Sequence, residues 1–216
     1  MPTDQSETLL DSLKRVTAIL REAGIPFVLG GGMAAWARGG PPTEHDIDLV
    51  IRESDTERAL DECAGAGLRT AIPPEGWLVK VWDGDTLVDL IYRPTGLDID
   101  DAFANAEMLN VHAVAMPVLS VDDLLATKLL ALTEHHLDYA PVLEYARSLR
   151  EQIDWRALQE RTEGSPFARA FFTLVEALGV CNWETGRTAG AAEAHSAASE
   201  ATTLTVATPF AESTGA

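Results

Sequence analysis

The sequence predicts an α/β (α+β) fold: a mixed, partly antiparallel sheet flanked by helices and followed by a helical subdomain. Three observations carry this. Short apolar runs at Phe27–Leu29 and Asp46–Ile51 have strand length and border clusters of Gly and Pro. The runs Trp77–Trp82 and Thr86–Tyr92 flank Asp83-Gly84, a strong hairpin signal, so part of the sheet is antiparallel. From Ser120 to about residue 180 the apolar spacing is helical.

In chain order, Leu9, Leu10, Leu13, Val16, Ile19, Leu20 and Ala23 recur at helical spacing over 7–23, and Gly24 stops that helix. Pro26 opens the first strand. A short helical segment over 33–38 ends at Gly39-Gly40-Pro41-Pro42, and Asp46–Arg52 is the second strand. Ser54-x-x-Glu57 has the form of a capping box for a helix to about Ala66. A strand over 68–72 precedes the hairpin. Residues 94–106 hold a loop and a short helix, and 108–119 is a last extended excursion. Ser120-x-x-Asp123 caps a helix over 121–133, which carries Lys128 among apolar residues. Adjacent His135 and His136 cannot share a helix face, so they and Asp138 suit a polar junction. Helices over 139–149, 155–159 and 167–178 follow, the last opened by Ser165-Pro166. The domain boundaries are thus 1–119 for the sheet unit, 120–182 for the helical subdomain and 183–216 for a disordered tail rich in Ala, Thr, Ser and Gly.

With 216 residues and 46% apolar content the chain can bury a sizeable core. Its net charge of −18 repels nucleic acid phosphates and anionic membranes at long range. No run of Lys and Arg offsets this, so extended nucleic acid is a disfavoured partner and a small acceptor or neutral protein suits better. Cys63 and Cys181 offer neither a disulfide framework nor zinc spacing. The start of the chain has no signal-peptide pattern and no 18-residue apolar run exists, so the expectation is a cytoplasmic protein without a membrane span.

The organising stretch is Phe27–Ile51. On a strand, Asp46 and Asp48 point to one face and Ile47 and Leu49 to the other. Two carboxylates side by side repel unless a cation sits between them, and hard oxygen donors favour Mg²⁺. Asp89 sits mid-strand among Leu87, Val88, Leu90 and Ile91, an unusual place for a carboxylate. Two other readings compete: a glycine loop and acidic turn without chemistry, or a dinucleotide fingerprint at Gly30-x-Gly32-x-x-Ala35 with Glu53 downstream. The fingerprint's helix is cut short by Gly39-Gly40-Pro41-Pro42, and it gives no reason for paired aspartates.

Gly31-Gly32, thirteen residues, then Asp46-Ile47-Asp48-Leu49 resembles the signature of the polymerase-beta-like nucleotidyltransferase superfamily. Over about residues 25–150 the chain looks like its small bacterial stand-alone members. The resemblance implies transfer of a nucleoside monophosphate from a nucleoside triphosphate (NTP) to an acceptor hydroxyl. It implies that Asp46, Asp48 and Asp89 hold two Mg²⁺ ions, with Mn²⁺ possible, and that Asp89 helps take the acceptor proton. Gly31, Gly32 and Lys128 would meet the phosphates. Pro41-Pro42 stands in the spacer where many such relatives carry Arg or Lys. That departure keeps open an alternative, a non-catalytic, antitoxin-like module that binds a nucleotide or a partner.

Overall fold

Strand pairing in the computed structural model, which describes residues 4–43, 46–181 and 183, runs in the order β3-β4-β5-β2-β1-β7-β6. The strands are β1 (Phe27–Leu29), β2 (Ile47–Ile51), β3 (Arg69–Ala71), β4 (Leu78–Asp83), β5 (Thr86–Ile91), β6 (Glu107–Val111) and β7 (Val114–Val118). Neighbours are antiparallel except β2 with β5 and β1 with β7, so the sheet is mixed as expected. The helices are α1 (Asp4–Glu22), α2 (Gly31–Ala37), α3 (Thr56–Gly65), α4 (Ile99–Ala104), α5 (Val121–Leu130), α6 (Ala140–Ser148), α7 (Trp155–Thr162) and α8 (Pro166–Ala177). Among the described residues no helix is long and apolar enough to cross a membrane.

Strand alternation divides the core. Ile47, Leu49 and Ile51 of β2, with Val88 and Leu90 of β5, face the large apolar cluster that includes Leu13, Val16 and Leu20 of α1. Val28, Val50, Leu97, Ala102 and Leu119 form a smaller cluster on the other face, under α4. Asp48, between Ile47 and Leu49, therefore lies on the less covered face. The large cluster continues into α5–α8 through Leu124, Leu125, Leu129, Trp155, Phe171 and Val175, all buried. Trp183, the first residue of the expected tail, sets its ring 6.3 Å from that of Phe172. Residues 184–216, where the tail was expected, lie outside the described residues.

Local chemistry explains most boundaries. Ser120 Oγ accepts from the Asp123 N–H at 3.1 Å and donates to Asp123 Oδ2 at 2.7 Å, a reciprocal cap on α5. Asp98, Asp154 and Ser165 cap α4, α7 and α8 by accepting from backbone N–H groups of the first turn. Ser54 does not cap α3. It sits in a 3₁₀ turn over Glu53–Asp55, and Thr56 Oγ1 donates to the Glu53 carbonyl at 2.7 Å instead. The excursion over 108–119 is a hairpin, not one strand. His112 and Ala113 make its turn with φ of 45° and 70°, the left-handed backbone that tight hairpins require. Arg38, at the end of α2, donates to the carbonyls of Leu119 (2.6 Å) and Val118 (3.2 Å) and pairs with Glu107, tying α2 to β7.

Candidate active site

The chain leaves β1 at Leu29 and turns into α2 at Gly30 and Gly31. The Gly30 N–H donates to the Asp48 carbonyl at 2.8 Å, which fixes the turn against β2. Gly31 has φ +56°, and a β-carbon there would fall 1.7 Å from Asp48 Oδ2. The backbone thus lies directly on the Asp48 carboxylate, and only glycine fits. A β-carbon on Gly32 would come within 2.8 Å of Thr43 Oγ1, so this glycine is needed for packing of the spacer. Helix α2 starts at Gly31 itself, two residues earlier than its apolar pattern suggests.

Asp48 on β2 and Asp89 on β5 are register partners in a parallel pair, so their side chains stand next to each other on one face. Lys80 on β4 is the register partner of Asp89 on its other side. Its Nζ donates to Asp89 Oδ1 at 3.0 Å and Oδ2 at 3.4 Å. Asp46 lies just before β2, exposed, at the mouth of the same face. Its charge reaches both of the other carboxylates.

The electrostatics record this crowding. Burial pushes the Asp48 carboxyl up to about 6. The Lys128 ammonium pulls it back, the Asp89 and Asp46 charges push it up again, and Lys80 lowers it slightly. Burial also raises Asp89, opposed by the Lys80 hydrogen bond and charge, with Asp46 and Glu75 adding to the rise. Lys128 on α5 is pulled below the ordinary lysine range by burial, against the attraction of Asp48. Its ammonium sits 5.2 Å over the Tyr145 ring of α6.

Between Asp48 and Lys128 lies a cavity of about 250 Å³. Gly30, Gly31, Asp48 and Lys128 line its polar end, and Val50, Ile91, Leu119, Leu124 and the half-exposed Trp77 line the rest. The structure therefore brings Gly31, Asp48, Asp89 and Lys128 to one side of the sheet with Asp46 at its edge, while Gly32 turns into the Thr43 contact. The donors are hard carboxylate oxygens in mutual repulsion, which suits a divalent cation such as Mg²⁺. Even so, among the described residues no three or more His, Cys, Asp or Glu side chains are gathered closely enough to enclose one. The sequence reading missed Lys80, Tyr145 and Trp77. Counting outward from the Gly84-Asp85 turn places Lys80 opposite Asp89, so that contact was findable.

The profile of the family described as nucleotidyl transferase of unknown function (DUF2204) matches residues 9–169. No curated protein matches the sequence. Among solved structures, the chain is similar to ANT(2″)-Ia in complex with adenylyl-2″-tobramycin, with TM-score 0.58 and 15% identity over 76% of this chain and 99% of that one. The solution structure of the antibiotic-resistance factor ANT(2″)-Ia gives TM-score 0.54 and 17% identity over 81% and 96%. At that identity the likeness is one of fold. The profile match spans most of the chain, including the glycine turn, the three aspartates and Lys128, and the chain therefore belongs to this nucleotidyl transferase family.

Proposed function

We propose that the protein moves a nucleoside monophosphate from a nucleoside triphosphate to an acceptor hydroxyl and releases pyrophosphate. The observation that carries this is the register pairing of Asp48 with Asp89 beside the Gly31 turn, with Asp48 facing Lys128 across a cavity. Asp46, Asp48 and Asp89 are the groups that would hold Mg²⁺, or Mn²⁺ in its place. When bound, such an ion neutralises phosphate charge and acidifies the acceptor hydroxyl. Asp89, raised by burial, takes the proton from that hydroxyl. The backbone at Gly31 gives the triphosphate a close approach to Asp48 that a side chain would block, and Gly32 continues that turn while packing on Thr43. Lys128 stabilises charge on the departing pyrophosphate. It is held for this by Tyr145 beneath it and Asp48 across the cavity.

A small-molecule acceptor fits best. The net charge of −18 disfavours extended nucleic acid, and ANT(2″)-Ia, of similar fold, was solved with an adenylylated antibiotic. The cytoplasm, where nucleoside triphosphates and Mg²⁺ are abundant, is the matching compartment. A second reading, a nucleotide- or partner-binding module without turnover, draws on the Lys80–Asp89 ion pair, which occupies the proposed base.

The test is transfer of label from each α-labelled triphosphate, with Mg²⁺, to fractions of a cell extract and to a panel of small hydroxylated acceptors. We expect a labelled acceptor with wild type and none with Asp48→Asn. Mg²⁺-dependent nucleotide binding with no transfer to any acceptor would favour the binding module. Transfer that survives in Asp48→Asn would remove these carboxylates from the chemistry.

A further inference from the structure

Three adjacent strands, β4, β5 and β2, set Lys80, Asp89 and Asp48 in one row across the sheet face. Strands stand about 4.8 Å apart, so each group in the row is an immediate neighbour of the next. Lys80 Nζ spans both oxygens of Asp89, at 3.0 and 3.4 Å. The pair is sheltered, with side chains only 24% and 12% exposed. Val79 and Val81 flank Lys80 and are buried, so its backbone is anchored in the hairpin.

We infer that the site takes one resident divalent ion, on Asp46 and Asp48, and that the Lys80 ammonium fills the second cationic position, on Asp89. This rests on the nucleotidyl transfer reading above and replaces the two ions that the sequence resemblance implies. Several observations support it. A second ion bridging Asp89 and Asp48 would need the oxygens that Lys80 now holds. An ion on Asp46 and Asp48 needs none of them, because Mg²⁺ is commonly held by one or two carboxylates with water and phosphate completing its shell. Before nucleotide binds, the charges also balance more closely with one ion. Three carboxylates face two ammonium groups, Lys80 and Lys128, so a single divalent ion already outweighs the remainder. Lys80 would then position Asp89 toward the acceptor hydroxyl and supply positive charge beside it.

The measurement is the number of Mn²⁺ ions bound per chain, read from the electron paramagnetic resonance signal of free Mn²⁺. The full-length protein is saturated with an α,β-methylene nucleoside triphosphate, and weak surface binding is subtracted using Asp48→Asn. Wild type and Lys80→Arg should each hold one ion at the site. Lys80→Met and Lys80→Gln should each hold two. The glutamine variant keeps a hydrogen-bond donor beside Asp89 in case the methionine variant does not fold, and melting temperatures report folding. Two ions in wild type would overturn the inference while leaving nucleotidyl transfer standing. One ion in wild type and in every folded Lys80 variant would equally overturn it. Failure of wild type to bind Mn²⁺ with the nucleotide would overturn both readings together.

Discussion

Gly31 lies against Asp48 so closely that a β-carbon on the glycine would sit 1.7 Å from Oδ2 of the aspartate. No room for a β-carbon exists there, and the contact is with the polar end of the site rather than with core packing. The same glycine has φ +56°, so two separate requirements, backbone and space, meet at one position.

Replacing Gly31 with Ala should therefore do more than strain the backbone. Left-handed geometry alone costs an L-residue about 1–2 kcal/mol. Gly24, with φ +65° and open space around its would-be β-carbon, isolates that cost. We expect Gly24→Ala to lose about 1 kcal/mol in urea unfolding with transfer unchanged. Gly31→Ala should lose more and also lose nucleotide binding, because Asp48 must swing away. Equal losses in the two variants, with binding intact, would show that the close contact has no role.

The Asp123–Arg161 pair links stability to the cavity wall. Asp123 is 1% exposed and accepts from Arg161 Nη1 at 2.5 Å. Arg161 Nη2 also donates to the Gly96 carbonyl at 3.1 Å, beside Pro94 and Thr95, which line the cavity. Breaking a buried pair costs about 3–5 kcal/mol, and the partial exposure of Arg161 reduces this. Arg161→Met should thus lose about 2–3 kcal/mol. It should also raise KM more than it lowers kcat, since the loop is loosened while the carboxylates stay in place. A loss under about 1 kcal/mol would place the pair among weak surface bridges.

Much of this architecture was legible because local chemistry dictated it. The Asp83-Gly84 hairpin, the Ser120 cap and the alternation that puts Asp48 opposite Ile47 and Leu49 all follow from short-range rules. The β6–β7 hairpin was hidden because His112 and Ala113, not Gly or Asn, take up the left-handed turn. The α3 start was misplaced because Ser54 and Thr56 offer competing hydroxyls and the backbone at Glu53 settles which is used. Tyr145 under Lys128 could not be read at all. It comes from another helix, and nothing local to α5 specifies how α6 packs on it.

Asp122 gives a pH test away from the carboxylate row. Burial pushes its carboxyl up to about 6; the Asp154 N–H, donating at 3.1 Å, opposes this, while the Asp154 and Asp123 charges add to it and Arg161 lowers it. A folded value above the unfolded one means the neutral form is favoured by folding. That contribution is full below about pH 4 and is lost as the pH rises through about 6. Asp122→Asn keeps an oxygen acceptor for Asp154 without the charge. It should leave stability at pH 4 nearly unchanged and raise it at pH 7.5 by about 1–3 kcal/mol. Chemical denaturation at the two pH values checks this, and a gain equal at both would refute the burial argument.

Lys128 separates a working ammonium from a lysine that only skirts a helix edge. If it meets the departing pyrophosphate, removing it should cost transition-state stabilisation and little ground-state structure. Loss of one such electrostatic group lowers kcat by about 10²–10³. Lys128→Met fills the same volume and relieves the burial that pulls the amine below its ordinary range, which offsets the loss of its attraction to Asp48, so the fold should hold. Asp48 would lose the charge that most lowers it, so its carboxyl should titrate above about 6 in this variant. A carboxyl titration followed by NMR reads that shift directly. Lys128→Arg keeps the charge over Tyr145 but brings a wider planar head, and should recover part of the lost rate. The decisive comparison is kcat for wild type, Lys128→Met and Lys128→Arg under saturating nucleotide. If the methionine variant turns over within roughly threefold of wild type, Lys128 serves packing and leaves the phosphates to other groups.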